Sequence, residues 1–185
     1  KKLKSIFSDT ASIKRVASIG CGSCIEWWDF VQPDKMGTVE FWGIDYDRGA
    51  IDRAQEKLNS IKSLESTFFC ENILRFILRN HRKKALEDID MIYSVGLFDY
   101  LDKDAALSIL KSLWDAISHN GTLLITNGHP DNPTRLWMEW AGDWFLNYKT
   151  SSDLLDIASG LESVANAEVS IDDFGVYQYL MIKKS

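Results

Sequence analysis

Two glycines and an aspartate stand at places where two apolar runs end. Gly20 and Gly22 follow the run 16–19, and Asp45 closes the next run, 25 residues after Gly20. Glycine allows a sharp turn and a close approach of the backbone to a ligand, because it has no side chain. Neighbouring parallel strands end at the same edge of a sheet, so Asp45 is predicted to face the turn. Its carboxylate can accept hydrogen bonds from both hydroxyls of a ribose there.

The residues after the turn distinguish between two nucleotide-type cofactors. A dinucleotide-binding turn needs a third glycine for close helix–strand packing, and this chain has Ile25 at that place. Glu26 follows, and its carboxylate would repel a pyrophosphate. The same carboxylate suits the sulfonium and ammonium groups of S-adenosylmethionine. We therefore expect S-adenosylmethionine as the cofactor, in preference to NAD.

The elements around these residues predict an α/β fold, because apolar runs alternate with helical patterns. The predicted parallel strands span residues 15–20, 38–45, 66–71, 88–95 and 121–127, and the helices between them span 24–31, 48–63, 73–85 and 103–118. We expect Asp47 and Asp102 to be N-caps and Asn120-Gly121 to stop a helix.

The C-terminal third departs from this alternation. A helix is expected from Asn132-Pro133 to about Tyr148, and a shorter one from a cap at Ser151 or Ser152 to residue 158. Strands are predicted at 168–172 and 176–183. The short link at 173–175 makes this last pair antiparallel.

Five parallel strands and a terminal antiparallel hairpin resemble the seven-stranded sheet of class I S-adenosylmethionine-dependent methyltransferases. Six parallel strands would be typical of a dinucleotide dehydrogenase. Nearly the whole chain resembles that family. Glu71-Asn72 ends the third strand, where the family usually holds the adenine amino group, and residues 90–95 resemble its fourth-strand motif beside the methyl donor. His119-Asn120-Gly121 stands where the family often has Pro-Gly-Gly. Taken singly, Asp45 is equally well explained as a surface charge at a strand end, and Glu71 and Asn72 as a polar loop.

The resemblance implies a Rossmann-like α/β sandwich and an enzyme that transfers the methyl group of S-adenosylmethionine. We expect residues 1–185 to form a single domain, and the missing initiator Met is compatible with a longer protein of which this is the C-terminal part. The cofactor-binding residues are expected to be Gly20, Cys21, Gly22, Glu26, Asp45, Tyr46, Glu71, Asn72, Ile73 and Ser94.

Cys21 and Cys24 form a C-x-x-C pattern, which elsewhere indicates a redox dithiol or half of a zinc site. Zinc would need further ligands, and only Cys70 and three histidines remain, none in paired spacing. We expect no metal, and we interpret the two cysteines as small residues that pack the turn.

Composition and charge exclude some partners. The net charge of −6 is unsuited to a nucleic-acid groove. No run approaches the roughly 18 apolar residues that a membrane helix requires. An odd number of cysteines, three, favours a reducing cytoplasm as the location. The sequence leaves the oligomeric state open.

Two segments carry a narrower resemblance. They are Gly96-Leu97-Phe98-Asp99-Tyr100-Leu101, which follows Tyr93-Ser94-Val95, and the stretch 132–150 with its Asn-Pro, Arg, Met-Glu-Trp and Asp-Trp elements. They resemble the bacterial methyltransferases of hydroxypalmitic acid methyl ester biosynthesis, members of which often have an additional N-terminal domain. This resemblance implies O-methylation of a small or fatty carboxylic acid, such as a hydroxy fatty acid.

Trp137, Trp140 and Trp144 follow the i, i+3, i+7 spacing of one helix face. Together with Phe145 and Trp114, they could form the base of an apolar pocket for an acyl chain. Alternatively, they pack the helix on the sheet, which is the interpretation that we favour because large aromatic residues dominate protein cores.

Several residues near these segments could act on a substrate. Arg135 could hold a carboxylate bidentately or form an ion pair with Glu139, and His129 follows the fifth strand as the best base or as a structural histidine. The expected catalytic set is Tyr100, His129, Arg135, Asp143 and Tyr148. A carboxylate acceptor needs no base, so the lack of an obvious one favours an acid substrate. The alternatives are a methyltransferase for another small molecule, with His129 or Asp99 as base, and a non-catalytic domain that binds the cofactor or an acyl ligand.

Overall fold

The computed structural model describes residues 13–30, 38–78 and 84–185, in which seven strands form one mixed sheet. The strands are β1 (Arg15–Ile19), β2 (Val39–Asp45), β3 (Leu64–Cys70), β4 (Ile89–Ser94), β5 (Ile117–Gly128), β6 (Val164–Ile171) and β7 (Tyr177–Lys184). Their order is β3-β2-β1-β4-β5-β7-β6. β1 to β5 are parallel, and β7 runs antiparallel to both β5 and β6. The predicted Rossmann-like α/β sandwich with its terminal antiparallel hairpin is confirmed.

Six α-helices lie in the described residues. They are α1 (Ile25–Phe30), α2 (Arg48–Leu58), α3 (Ile73–Leu78), α4 (Lys103–Ala116), α5 (Arg135–Gly142) and α6 (Ser151–Ser159). Short 3-10 turns occupy Lys84–Leu86 and Leu97–Tyr100. The predicted ends of the helices 24–31 and 73–85 extend into residues outside the described ranges.

The sheet separates two apolar clusters. One contains buried residues of α3, α4 and α6, such as Phe76, Leu110 and Ile157. The other contains residues of α1 and α2, such as Trp27 and Ile51. Because both faces are covered, the central parallel strands are apolar along nearly their whole length, as expected for an α/β sandwich.

The polar residues at helix starts follow the sequence prediction in two cases and differ in a third. Asp47 caps α2 by accepting the N–H of Ala50, and Asp102 caps α4 by accepting the N–H of Ala105. α6 is capped by Thr150, not by Ser151 or Ser152. Thr150 and Asp153 form a reciprocal capping box, which satisfies two helix N-terminal donors together.

α4 is shorter and β5 longer than predicted. α4 ends at Ala116, and Ile117 already has extended backbone and pairs with Ile89 of β4. Asn120 has the left-handed φ of 61° expected for a turn residue, but it lies inside β5. Pairing with β4 therefore begins before the Asn-Gly signal.

The predicted helix from Asn132-Pro133 to Tyr148 was wrong at both ends. α5 begins at Arg135, after a turn in which Asn132 accepts the N–H of Thr134. It ends at Gly142, because Asp143 adopts a left-handed φ of 47° and donates its N–H to the carbonyl of Met138. The chain then continues without helix to α6.

The aromatic residues of α5 do not pack on the sheet, which corrects the interpretation favoured from the sequence. Trp137 and Trp140 are 68% and 83% exposed, and no residue of α5 is buried. Trp114 does not join them, because it is buried in the core and donates its indole N–H to the carbonyl of Glu162. Sequence spacing correctly placed the two tryptophans on one helix, but only burial shows which face is covered.

In the described ranges of the chain, no helix combines the length and the apolar character required to cross a lipid bilayer.

Candidate functional site

The turn after β1 has a backbone conformation that favours glycine. Gly20 and Gly22 have φ angles of 64° and 53°, in the left-handed region that other residues rarely adopt. The N–H groups of Gly20 and Cys21 donate to the carbonyl of Ile44 over 2.8 and 3.1 Å. A Cβ atom on Gly20 would lie 3.2 Å from the Cβ of Leu97. The turn is thereby held between the end of β2 and the loop after β4.

Asp45 faces this turn. Its Oδ2 accepts the N–H of Gly22 at 2.8 Å, and its Oδ1 accepts the N–H of Asp47 at 2.9 Å. A carboxylate has about four lone-pair positions, so each oxygen can accept a further hydrogen bond. Asp45 is half-buried, and its carboxylate is fixed in orientation by two backbone donors while it remains able to bind a ligand hydroxyl.

A cleft of about 550 Å³ opens at the carboxyl ends of β1 to β4. Here β1 lies between β2 and β4, the switch point of the sheet at which α/β proteins bind ligands. The size suits a nucleoside-type ligand together with a small molecule. The cleft is lined by Gly20, Ile44, Asp45, Tyr46, Glu71, Asn72, Ile73, Val95, Gly96, Leu97, Asp99, Tyr100, Trp144 and Tyr177.

Six of the residues expected to bind the cofactor line this cleft: Gly20, Asp45, Tyr46, Glu71, Asn72 and Ile73. Register explains their convergence. Asp45 pairs with Cys70 across β2 and β3, and the N–H of Glu71 donates to the carbonyl of Asp45 over 2.8 Å. The side chain of Asn72 accepts the N–H of Leu74 and so caps the start of α3.

The other expected cofactor residues lie around the turn but outside the cleft wall. Gly22 contributes its N–H to Asp45. Cys21 is buried in the core, and the hydroxyl of buried Ser94 donates to the carbonyl of Ile19. These contacts connect β1 with its neighbours and hold the turn in place.

Glu26 belongs to a polar array beside the turn. Its Oε1 accepts the hydroxyl of Tyr93 at 2.6 Å, and the hydroxyl oxygen of Tyr93 accepts the indole N–H of Trp27 at 2.6 Å. Burial raises the pKa of Glu26, while the hydrogen bond from Tyr93 opposes that rise. The same burial raises the pKa of Tyr93, which therefore remains a donor at neutral pH.

The two cysteines of the C-x-x-C pattern are core residues. Cys21 and Cys24 are buried, and neither forms a disulfide. The hydrogen bond with Cys21, together with burial, raises the pKa of Cys24, so the thiol form is favoured. In residues 13–30, 38–78 and 84–185, no group of three or more His, Cys, Asp or Glu residues is placed to hold a metal ion.

Aromatic residues form the side of the cleft opposite Asp45 and Glu71. Tyr100, Trp144 and Tyr177 line it there. The indole N–H of Trp144 donates to the hydroxyl of Tyr100 over 2.9 Å. Trp144 reaches this position because α5 ends two residues earlier.

Asp99, which lies among these aromatic residues, was not in the expected catalytic set. It is 3% exposed and lines the cleft. Its Oδ1 accepts the N–H of Gly128 at 2.7 Å and the side-chain N–H of Asn127 at 3.1 Å. Burial raises the pKa of Asp99 to about 6, against the opposing effects of Gly128, Lys149 and Asn127. The sequence did offer a signal for Asp99, because its carboxylate is the one charged group in the otherwise uncharged segment 96–101.

Lys149 holds the segment that carries Asp99. It is 6% exposed, and its ammonium group donates to the carbonyls of Phe98, Leu101 and Asn147 over 3.0, 2.7 and 3.1 Å. Desolvation lowers the pKa of Lys149, and the nearby Asp99 opposes that effect. The carbonyl of Lys149 in turn accepts the side-chain N–H of buried Gln178.

Of the expected catalytic residues, only Tyr100 lines this cleft. The Nδ1 atom of half-buried His129 accepts the N–H of Asp131 at 3.2 Å. Asp143 is the exposed residue that terminates α5. Neither residue contributes to the cleft wall.

Arg135 and Tyr148 line a second cleft, of about 630 Å³, whose wall also includes residues 146–149. The Nε of Arg135 donates to Glu139 Oε1 over 2.7 Å, as in the ion-pair alternative. Its guanidinium carbon lies 4.4 Å from the ring centre of Tyr148. The buried hydroxyl of Tyr148 has no hydrogen-bond partner among the described residues.

The fold is that of S-adenosylmethionine-dependent methyltransferases. Magnesium protoporphyrin IX methyltransferase from Synechocystis PCC 6803, solved with bound S-adenosylhomocysteine, is 13% identical with a TM-score of 0.70, over 100% of this chain and 80% of that one. The plantazolicin methyltransferase BpumL, solved with a triazolic desmethylPZN analogue and S-adenosylhomocysteine, is 15% identical with a TM-score of 0.71, over 100% of this chain and 81% of that one.

A protein from Bordetella parapertussis, described as a possible exported protein, is 15% identical with a TM-score of 0.79. The match covers 99% of this chain, which spans 66% of that protein. No protein-family model and no curated protein matches the chain.

Proposed function

We propose that this protein is an S-adenosylmethionine-dependent methyltransferase that methylates an oxygen atom of a small molecule. The observation that carries this proposal is the position of the Asp45 carboxylate, held against the glycine turn at the edge of the cleft. An enzyme of this kind needs a rigid acceptor for the ribose hydroxyls at this position of the fold.

The residues of the cleft fit the cofactor. The turn at Gly20 and Gly22 leaves backbone without side chains beside the cleft, and a Cβ on Gly22 would meet nothing within 4 Å. The free lone pairs of Asp45 suit the ribose, and the polar side chains of Glu71 and Asn72 suit an adenine amino group. Glu26 adds negative charge near the turn, which favours a positively charged cofactor.

When bound, S-adenosylmethionine supplies a methyl group already activated by positively charged sulfur. The protein therefore has to align an acceptor with that methyl group and exclude water. Tyr100, Trp144 and Tyr177 provide apolar surface for both tasks on the opposite side of the cleft. Their aromatic rings suit an apolar or aromatic acceptor.

The narrower resemblance of residues 93–101 and 132–150 supports a small or fatty acid as the substrate, including a hydroxy fatty acid. Arg135, the residue expected to hold its carboxylate, is paired with Glu139 and stacked on Tyr148 in the second cleft. A substrate carboxylate would have to replace Glu139 at that guanidinium. The resemblance is thus the main support for an acid.

Titration calorimetry with S-adenosylmethionine and S-adenosylhomocysteine tests the cofactor first. We expect saturable binding of both at equal stoichiometry. Release of S-adenosylhomocysteine is then followed with carboxylic acids, phenols and amines as acceptors. Binding without release for any acceptor would favour a sensor over an enzyme, and no binding of either compound would contradict the proposed function.

A further inference from the structure

We infer that Asp99 is the catalytic base of this site and that the methyl acceptor is a hydroxyl group, in the first place a phenolic one. This inference rests on the proposed function and narrows its substrate class. It departs from the carboxylate acceptor that the narrower resemblance implies.

The first support is the asymmetric hydrogen bonding of the Asp99 carboxylate. Both described hydrogen bonds of this side chain, from Gly128 and from Asn127, go to Oδ1. Oδ2 accepts no hydrogen bond from the described residues, while Asp99 lines the cleft. One oxygen therefore fixes the carboxylate, and the other is available to a ligand.

Asp99 also lines the cleft in which the cofactor is proposed to bind. It belongs to the 3-10 turn Leu97–Tyr100, and Leu97 contacts the glycine turn closely enough to be 3.2 Å from a Cβ built on Gly20. Asp99, Tyr100 and Gly20 line the same cleft. A base must lie within hydrogen-bond reach of the proton that it removes, and this placement meets that condition for an acceptor in the cleft.

Two further residues hold the base in place. The side-chain N–H of Asn127 donates to Asp99 Oδ1, to the carbonyl of Phe98 and to the carbonyl of Asn147. The ammonium of Lys149 donates to the carbonyls of Phe98 and Leu101, which precede and follow Asp99 in the chain. Lys149 has no described hydrogen bond to Asp99 itself, so it offsets the charge without occupying the carboxylate. We assign Asn127 and Lys149 as positioning residues.

The charges around Asp99 keep it ionised at neutral pH. Its pKa of about 6 is raised mainly by burial, and the hydrogen bond from Gly128 and the ammonium of Lys149 oppose a further rise. Tyr148 and Tyr177, the other titratable groups that interact with Asp99, are neutral at that pH because burial raises the pKa of both. A carboxylate with a pKa near the working pH is suited to general-base catalysis.

The chemistry of the acceptor follows from this carboxylate. A hydroxyl can donate to Oδ2, whereas a substrate carboxylate in the same place would be repelled. As methyl transfer proceeds, the hydroxyl proton passes to Asp99 Oδ2, and the oxygen pair forms the new bond to the methyl carbon. The pair of the broken carbon–sulfur bond stays on sulfur, which loses its positive charge. A phenol fits best, because its proton is far more acidic than that of an alcohol and its ring matches Tyr100, Trp144 and Tyr177.

Three matched probes separate the two acceptors: 4-hydroxybenzoic acid has both groups, methyl 4-hydroxybenzoate has only the phenol, and benzoic acid has only the carboxylate. Mass spectrometry with chromatographic standards distinguishes the ether from the ester. We expect the ether from the first two probes and no product from benzoic acid. Ester formation, from benzoic acid or from 3-hydroxydecanoic acid, would overturn the inference while it left the proposed function standing.

The variant Asp99→Asn tests the base. With a phenolic probe we expect kcat to fall at least about 100-fold, and the decline of wild-type activity below pH 6 to disappear. Affinity for S-adenosylhomocysteine should stay within about twofold. The matched control is Asp104→Asn, an exposed carboxylate on α4, which should keep wild-type kinetics. Wild-type kcat in Asp99→Asn would contradict the inference.

Binding provides a readout that does not depend on turnover. Calorimetry on the complex with S-adenosylhomocysteine should show methyl 4-hydroxybenzoate binding to the wild-type protein about tenfold more tightly than to Asp99→Ala. Benzoate should bind more tightly to Asp99→Asn than to the wild type. If neither 4-hydroxybenzoic acid nor methyl 4-hydroxybenzoate binds the complex, the phenolic substrate class is wrong.

For the positioning residues the readout is the pH profile. The hydrogen bond from Asn127 lowers the pKa of Asp99, so Asn127→Ser should move the acidic limb of the kcat profile to higher pH as well as lower kcat. Asn127→Ala serves as a second variant, and circular dichroism verifies that each is folded. If the acidic limb of the kcat profile stays at the wild-type pH in a folded variant, Asn127 has only a structural role.

Discussion

The N–H of Gly22 lies 2.8 Å from Oδ2 of Asp45, a hydrogen bond that joins the turn after β1 to the end of β2. Its partners are 23 residues apart in the chain. Hydrogen bonds to an ionised carboxylate are shorter and stronger than neutral ones. This contact therefore fixes the turn and the carboxylate relative to each other before any ligand binds.

Asp45→Ala should weaken cofactor binding by about 2 kcal/mol, a loss of roughly 30-fold, because a charge-assisted contact to the ribose is removed. Calorimetry with S-adenosylhomocysteine measures the change. The control is Asp52→Ala, an exposed carboxylate on α2. Equal affinity in Asp45→Ala and Asp52→Ala would remove Asp45 from the ligand site.

Tyr93→Phe should lower the free energy of unfolding by about 1–3 kcal/mol. The change removes the hydroxyl that donates to Glu26 and accepts from Trp27, so two hydrogen bonds in a buried place are lost. Urea denaturation followed by tryptophan fluorescence gives the difference. Tyr179→Phe is the matched control, because the half-buried Tyr179 hydroxyl has no described hydrogen bond, and it should change the stability far less.

Lys149→Met should destabilise the protein by about 2–4 kcal/mol, because three carbonyls lose a charged donor where water has little access. Lys111→Met, at an exposed position of α4, should have little effect. Thermal and urea unfolding of the two variants provide the comparison. A small loss in Lys149→Met would mean that water or rearranged donors satisfy these carbonyls.

Asp99→Asn should stabilise the protein at pH 8, by about 2 kcal/mol, even though it removes the proposed base. The folded-state pKa of Asp99 is raised from 3.8 to about 6. Its contribution to stability is therefore fully present below pH 3.8 and is lost as the pH rises through about 6. The full rise of the pKa would correspond to a larger loss of stability, but Asp99 lines an open cleft, so solvent screening reduces the effect.

Urea unfolding at several pH values checks this prediction. The variant and the wild type should have similar stability below pH 4, because both side chains are then neutral, and they should diverge as the pH rises through the interval between the two pKa values. Equal stability at pH 4 and pH 8 would show that the carboxylate is not desolvated in the folded state.

Trp140→Ala should change the free energy of unfolding by less than about 0.5 kcal/mol, because Trp140 is 83% exposed on α5. Trp27→Ala should cost about 3–5 kcal/mol, because Trp27 is 1% exposed in the core. The pair compares two changes of identical chemistry in opposite surroundings. A large loss in Trp140→Ala would restore the packing role that the sequence favoured.

The alternation of apolar runs and helical patterns was enough to predict the α/β sandwich and its terminal hairpin. The sequence directly reflects local backbone preferences and the alternation of buried and exposed positions. These determine the strands, the glycine turn and the aspartate caps. For the same reason, the position of Asp45 opposite the turn could be predicted, since strand ends align in a parallel sheet.

The sequence pointed to Tyr100 and, as an alternative base, to Asp99, but the rest of the cleft wall around them was decided by tertiary structure. A left-handed residue, Asp143, ends α5 early, so Trp144 turns to the cleft while Trp137 and Trp140 stay exposed. Asp99 and Lys149 come together from segments 50 residues apart. Burial of the two side chains raises the pKa of Asp99 and lowers that of Lys149. Sequence spacing does not predict desolvation, because desolvation depends on which other segments of the fold cover a side chain.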